Sequence, residues 1–91
     1  MNFTKNKIEG SFDVDINRLG DDRGFFSRVY CSQEFKKNNI TANISQANLS
    51  FSKIKGTIRG MHYQLEPSSE MKAVRCIAGS LYDVIIDLRK S

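Results

Sequence analysis

The chain has 91 residues, 40% of them hydrophobic and 26% charged, with a formal net charge of +4. That composition excludes a chain disordered throughout and sets one domain as the upper bound, with room for one modest core. The basic residues are scattered, with no run of five or six, which argues against a nucleic-acid-binding tail and leaves an anion-attracting surface as the sharper reading.

Two cysteines, Cys31 and Cys76, stand far apart and form no CxxC pair, so neither a zinc knuckle nor a redox motif is present. Free thiols in a cytoplasmic protein are the expectation. The opening MNFTKNKIEGSF has no apolar stretch of the kind a signal peptide needs. The longest apolar run, Val84-Ile85-Ile86, is far too short to cross a membrane, so no membrane partner is expected.

In chain order, Phe12-Asp13-Val14-Asp15-Ile16 alternates cleanly and predicts a strand. Gly20-Asp21-Asp22-Arg23-Gly24 is a turn signal, and Phe25 to Tyr30 follows as a second strand. Ser32-Gln33-Glu34-Phe35-Lys36-Lys37 is the one helical candidate, with Ser32 as its expected N-cap, Glu34 in the first turn and lysines in the last. Asn38-Asn39 ends it. Ala42 to Ser50 comes next, then a basic loop, Lys53-Ile54-Lys55-Gly56.

Gly56-Thr57-Ile58-Arg59-Gly60-Met61-His62-Tyr63-Gln64 predicts a further strand and holds the only histidine. Alternation sets Gly60, His62 and Gln64 on one side, and a bulge at Gly60 would turn Arg59 and His62 toward one pocket. Pro67 marks a loop. Ala73 to Ile77 and Ser80 to Leu88 predict two last strands, joined as a hairpin at Ala78-Gly79. On the final one Tyr82, Val84, Ile86 and Leu88 form the core face, while Asp83, Ile85 and Asp87 line either solvent or a polar cavity. The whole predicts an all-β barrel or sandwich with one short helix and edges that need covering.

Gly56-x5-His62-x-Gln64, with Glu70 and Gly79 downstream, has the outline of a cupin metal motif. Gln64 stands where a second histidine would be, and an amide is a poor ligand for a transition metal. The barrel outline survives and the metal centre does not.

Asp22-Arg23-Gly24-Phe25-Phe26, Gln46-Ala47-Asn48-Leu49-Ser50, Gly56-Thr57-Ile58-Arg59-Gly60-Met61-His62-Tyr63-Gln64, Lys72-Ala73-Val74-Arg75-Cys76 and Gly79 through Asp87 stand in the order and approximate spacing of one family. From about Phe12 to Ser91 the chain resembles the N-terminal half of a dTDP-4-dehydrorhamnose 3,5-epimerase. The resemblance implies a partial cupin (a double-stranded β-helix, or jelly-roll) with residues 1–91 as the N-terminal portion of the domain. It implies no metal and no cofactor.

It further implies a nucleoside-diphosphate 4-keto-6-deoxy sugar as substrate. His62 matches the base that takes a proton next to the ketone, Lys72 the cation that stabilises the enolate, and Asp83 a supporting carboxylate. Arg23, Gln46, Asn48 and Arg59 match substrate-binding positions, with Arg23 at the phosphates. A homodimer is implied, in which N-terminal strands cross to the partner sheet.

Two departures stand out. Arg28 occupies a position where many family members have a glutamate, and the segment between Gln46 and Arg59 is one residue longer. The resemblance also assigns a tyrosine acid and a histidine-pairing aspartate to the family's second half. The 91 residues alone are therefore expected to be weak or inactive. The alternatives left open are a non-catalytic nucleotide-sugar-binding or assembly module, and a related 5-epimerase or heptose epimerase.

Overall fold

The computed structural model describes residues 1–41 and 43–90. Ala42, which opens the predicted segment Ala42 to Ser50, and Ser91, which closes the predicted domain 1–91, lie outside the described residues. The chain divides into two compact units, one made of Met1–Asn43 with Val84–Ser91 and the other of Ile44–Asp83.

The regular structure is β apart from one short helix, as the sequence predicts, and fits part of a cupin-like fold. All of it lies in the first unit. β1 (Asn2–Lys5) pairs antiparallel with β2 (Phe12–Asp15), setting Phe3 opposite Val14 and Lys5 opposite Phe12. In β2 the aspartates are exposed while Phe12 and Val14 turn inward, the outcome expected of period-two alternation. The turn between them closes through Asn6 N–H donating to the Ser11 carbonyl at 3.0 Å and Ser11 Oγ donating to the Ile8 carbonyl at 2.8 Å.

β3 (Leu19–Asp21) and β4 (Gly24–Phe26) form a second antiparallel pair joined by the two residues Asp22 and Arg23. The turn predicted over Gly20 to Gly24 is thus narrower than expected, because its outer residues enter the ladder. Gly24 has φ +136, which few L side chains adopt, so the tight connection depends on glycine there. The strand predicted over Phe25 to Tyr30 stops at Phe26, where β3 ends as a pairing partner.

α1 (Ser32–Lys37) forms where predicted, with Glu34 in its first turn and Lys36 and Lys37 in its last. Its N-cap is Cys31 rather than Ser32, in extended conformation and with no side-chain capping bond. The helix end closes through Ile40 N–H donating to the Phe35 carbonyl at 2.9 Å and Asn38 Nδ2 donating to the Glu34 carbonyl at 2.9 Å. Phe35 meets Phe3 at 5.2 Å and Tyr30 at 5.0 Å between ring centroids, both edge to face, and Phe3 meets Phe12 at 6.4 Å. This aromatic cluster and the buried Ile40 make the small core that seats α1 on the β1–β2 hairpin.

Glu34 adds an ionic tie at the same place. Its carboxylate takes the N-terminal ammonium at 3.1 Å and Arg28 at 3.2 Å. Hydrogen bonds from the ammonium first, then from Arg28, hold its pKa below the usual carboxylate value.

The strands predicted over Gly56 to Gln64, Ala73 to Ile77 and Ser80 to Leu88 do not form among the described residues, and Ala78-Gly79 bends the chain without making a hairpin. Alternation selects the faces of a strand, but a strand exists only where a neighbour accepts its backbone groups, and these segments have no such neighbour here. The expected core face of the last one is accordingly open: Tyr82 is 92% exposed, and Val84, Ile86 and Leu88 are exposed as well.

Candidate functional site

The predicted site residues fall in both units. Arg23 lies in the first, at the tip of the β3–β4 hairpin. Its Nη2 pairs with Asp21 Oδ2 at 2.7 Å, and the Arg23 backbone N–H donates to Asp21 Oδ1 at 2.9 Å. The pairing lowers the Asp21 carboxyl pKa and raises that of the Arg23 guanidinium. Leu19, Phe25 and Phe26 join them around an open groove of about 210 Å³. Arg18 lies over the Phe25 ring at 4.9 Å from its centroid. The Arg23 guanidinium beside these exposed rings is held by the Asp21 carboxylate, so a phosphate entering the groove has to compete with that carboxylate for it. Arg28, one of the two departures from the family pattern, is turned away to Glu34 at 3.2 Å.

The other candidates lie in the second unit, and all are exposed. Gln46 and Asn48 stand at its start. Arg59 donates from Nε to Ser52 Oγ at 3.1 Å and from Nη2 to the Phe51 carbonyl at 2.9 Å, closing the segment between them into a loop. Within that loop Thr57 Oγ1 donates to the Ile54 carbonyl at 2.6 Å, and Gly56 turns the chain at φ +83. Because no strand forms at residues 56–64, the expected bulge at Gly60 does not form either. Gly60 instead takes φ +114, and a Cβ placed on it would meet His62 Nδ1 at 3.6 Å. The imidazole thus folds back over the glycine, and a side chain at position 60 would rest against it.

Lys72 Nζ stands 3.5 Å from Glu70 Oε1. With its nitrogen facing the carboxylate, the orientation that avoids setting oxygen against oxygen, the Gln64 amide donates to Glu70 Oε1 at 2.6 Å and Oε2 at 3.2 Å. The turn between them is closed by Ser68 N–H donating to the Leu65 carbonyl at 2.8 Å and by Ser69 Oγ donating to Glu66 Oε1. Among the described residues no hydrogen bond or ion pair joins His62, Lys72 and Asp83 to one another. Nor do three or more His, Cys, Asp or Glu side chains gather as metal ligands, or any helix reach the length and apolarity needed to cross a membrane.

In the sequence Glu70 stands out only through the incomplete metal motif, and Gln64 through that motif, its place beside His62 and the family's Gly56 to Gln64 segment. Their contact was not foreseen. The only signal for it was the short spacing of Glu70 and Lys72 behind a proline-bearing turn.

The model of the family described as dTDP-4-dehydrorhamnose 3,5-epimerase matches residues 5–91. Among individual relatives, a dTDP-4-dehydrorhamnose 3,5-epimerase of Sinorhizobium fredii is 46% identical over 79% of this chain and 37% of its own length. One from Shigella flexneri is 39% identical over 100% of this chain and 50% of its own. One from Methanothermobacter thermautotrophicus is 34% identical over 98% and 47%. The chain therefore spans half or less of the length of these relatives. No solved structure matches it.

Proposed function

Since the chain belongs to the dTDP-4-dehydrorhamnose 3,5-epimerase family, we propose that residues 1–91 are the N-terminal portion of a cupin-type epimerase domain acting on a dTDP-linked 4-keto-6-deoxy sugar. The match over residues 5–91, which takes in every candidate residue, is the observation that carries this reading. The place of the reaction would be rhamnose biosynthesis, in the cytoplasm, with a homodimer as the working form.

The chemistry follows from the ketone. A proton on a carbon beside C4 is acidic because the electron pair it leaves behind spreads onto the carbonyl oxygen as an enolate. His62 removes that proton as the general base. Lys72 supplies positive charge to the enolate oxygen, where fixed charge gives the largest catalytic gain. Asp83 is the supporting carboxylate. Arg59 binds the sugar near the base, Arg23 the phosphates, and Gln46 and Asn48 the nucleotide. Inversion also needs a proton delivered to the opposite face, so the proposal concerns the domain as a whole.

The test is deuterium uptake from D2O at C3 and C5 of dTDP-4-dehydro-6-deoxyglucose. It is run on the 91-residue chain and on the chain joined to the C-terminal part of the Shigella flexneri relative. The joined form is expected to exchange and invert, and His62→Ala to slow it by about 10²- to 10⁴-fold. Absence of exchange by both forms defeats the catalytic reading. The Arg23 groove favours one alternative, a nucleotide-binding module, which predicts dTDP binding by calorimetry with no exchange in either form.

A further inference from the structure

An ammonium and a side-chain amide in the second unit converge on one carboxylate. Lys72 Nζ stands 3.5 Å from Glu70 Oε1 as an ion pair, and the Gln64 amide donates to the same oxygen at 2.6 Å and to Oε2 at 3.2 Å. The ammonium and amide that meet at Oε1 are the groups an enolate oxygen requires: a charge to offset its own and a second donor to fix its direction. The carboxylate that fills this pair belongs to a half-exposed side chain and resembles an enolate in charge and trigonal geometry.

We propose that Gln64 is a second enolate-stabilising residue beside Lys72, and that the Glu70 carboxylate holds the donor pair as an internal stand-in until substrate displaces it. The proposal rests on the epimerase reading above. In the step it serves, His62 takes the proton from the carbon next to the ketone. The C–H electron pair becomes the new C–C π bond, and the former carbonyl π pair moves onto oxygen. That oxygen then accepts from Gln64 Nε2 and Lys72 Nζ. Return of a proton to carbon reverses every shift, and no oxidant or co-reactant is needed. Glu70 swings to solvent as the sugar enters and returns when it leaves, so its cost is competition with substrate.

Two measurements test this. The first needs no turnover. The Gln64 side-chain amide resonances of ¹⁵N-labelled chain, assigned by their loss in Gln64→Leu, are compared in wild type, Glu70→Ala and a remote control, Glu9→Ala. They are expected to move in Glu70→Ala alone, and an unmoved pair overturns the proposal. The second follows deuterium uptake by the chain and by its joined form. Gln64→Leu is expected to lower kcat by about 10²-fold with KM little changed, the loss usual for one such donor. Glu70→Ala is expected to raise kcat/KM several-fold by removing the competitor. An unchanged kcat in Gln64→Leu, or a loss in Glu70→Ala as deep as in Gln64→Leu, overturns the proposal. Moved resonances without exchange by any wild-type form defeat the epimerase reading and the enolate role with it, and leave only the contact between Glu70 and its two donors.

Discussion

Phe35→Ala strikes a place where, among the described residues, the first unit is packed from several directions. Its ring is met edge-on by Phe3 at 5.2 Å and Tyr30 at 5.0 Å. Each such pair is worth about 0.5–1.5 kcal/mol beyond the area it buries. The half-buried ring adds roughly 1–2 kcal/mol of its own, a share of the value for full burial. Together the loss is about 2–5 kcal/mol. Phe35→Leu keeps most of the apolar area and gives up the ring geometry of both pairs, at about 1–3 kcal/mol.

Amide hydrogen exchange reads the effect, because about 1.4 kcal/mol is a tenfold change in the opening equilibrium. Protection of the paired amides in β1 and β2, and of the Ile40 amide, is expected to fall by at least about 30-fold in Phe35→Ala and at least about fivefold in Phe35→Leu. Protection in Phe35→Ala within about threefold of wild type would show that the cluster does not hold the hairpin on the helix. Equal losses in the two variants would show that the edge contacts carry the whole effect, and full protection in Phe35→Leu would show that area alone matters.

Two further outcomes are expected. A Cβ on Gly60 would clear its neighbours at 3.6 Å or more, so the penalty in Gly60→Ala comes from φ +114 itself, about 1–3 kcal/mol. The sole histidine gives a single imidazole Cε1–H resonance, which this variant should move or split; an unchanged signal refutes the strain. At the other end, the Arg89 guanidinium and then the Arg89 backbone N–H bring the Asp87 pKa down from 3.8 to about 2. A depressed carboxylate stabilises the folded chain above its ordinary value, and that contribution disappears as pH falls through about 2. The Asp87 carboxyl ¹³C signal should therefore titrate near pH 2 and move up in Arg89→Ala, and a wild-type midpoint near 3.8 would contradict the pairing.

Elements that declare themselves locally were legible. β2 was readable because Phe12 and Val14 alternate with aspartates, and α1 because charge and asparagine mark its ends. β1 was not: Phe3 is alone among polar residues, and the strand exists because β2 pairs with it. The converse holds for residues 56–64, 73–77 and 80–88, which carry strand patterns without a neighbour to complete them. At the site, motif order pointed to His62, Lys72 and Arg23. It was blind to the Gln64–Glu70–Lys72 contact, which depends on how the turn around Pro67 returns the chain, and residue spacing does not encode that path.

The open stretch from Val84 to Leu88 also governs how the 91-residue chain behaves in a tube. Strand-forming residues with bare amides and carbonyls are templates for their own kind. A formal charge of +4 is a weak brake, and added salt relaxes it. Preparations will thus cluster as they are concentrated, and lysine placed at position 86 is the simplest way to keep them dispersed.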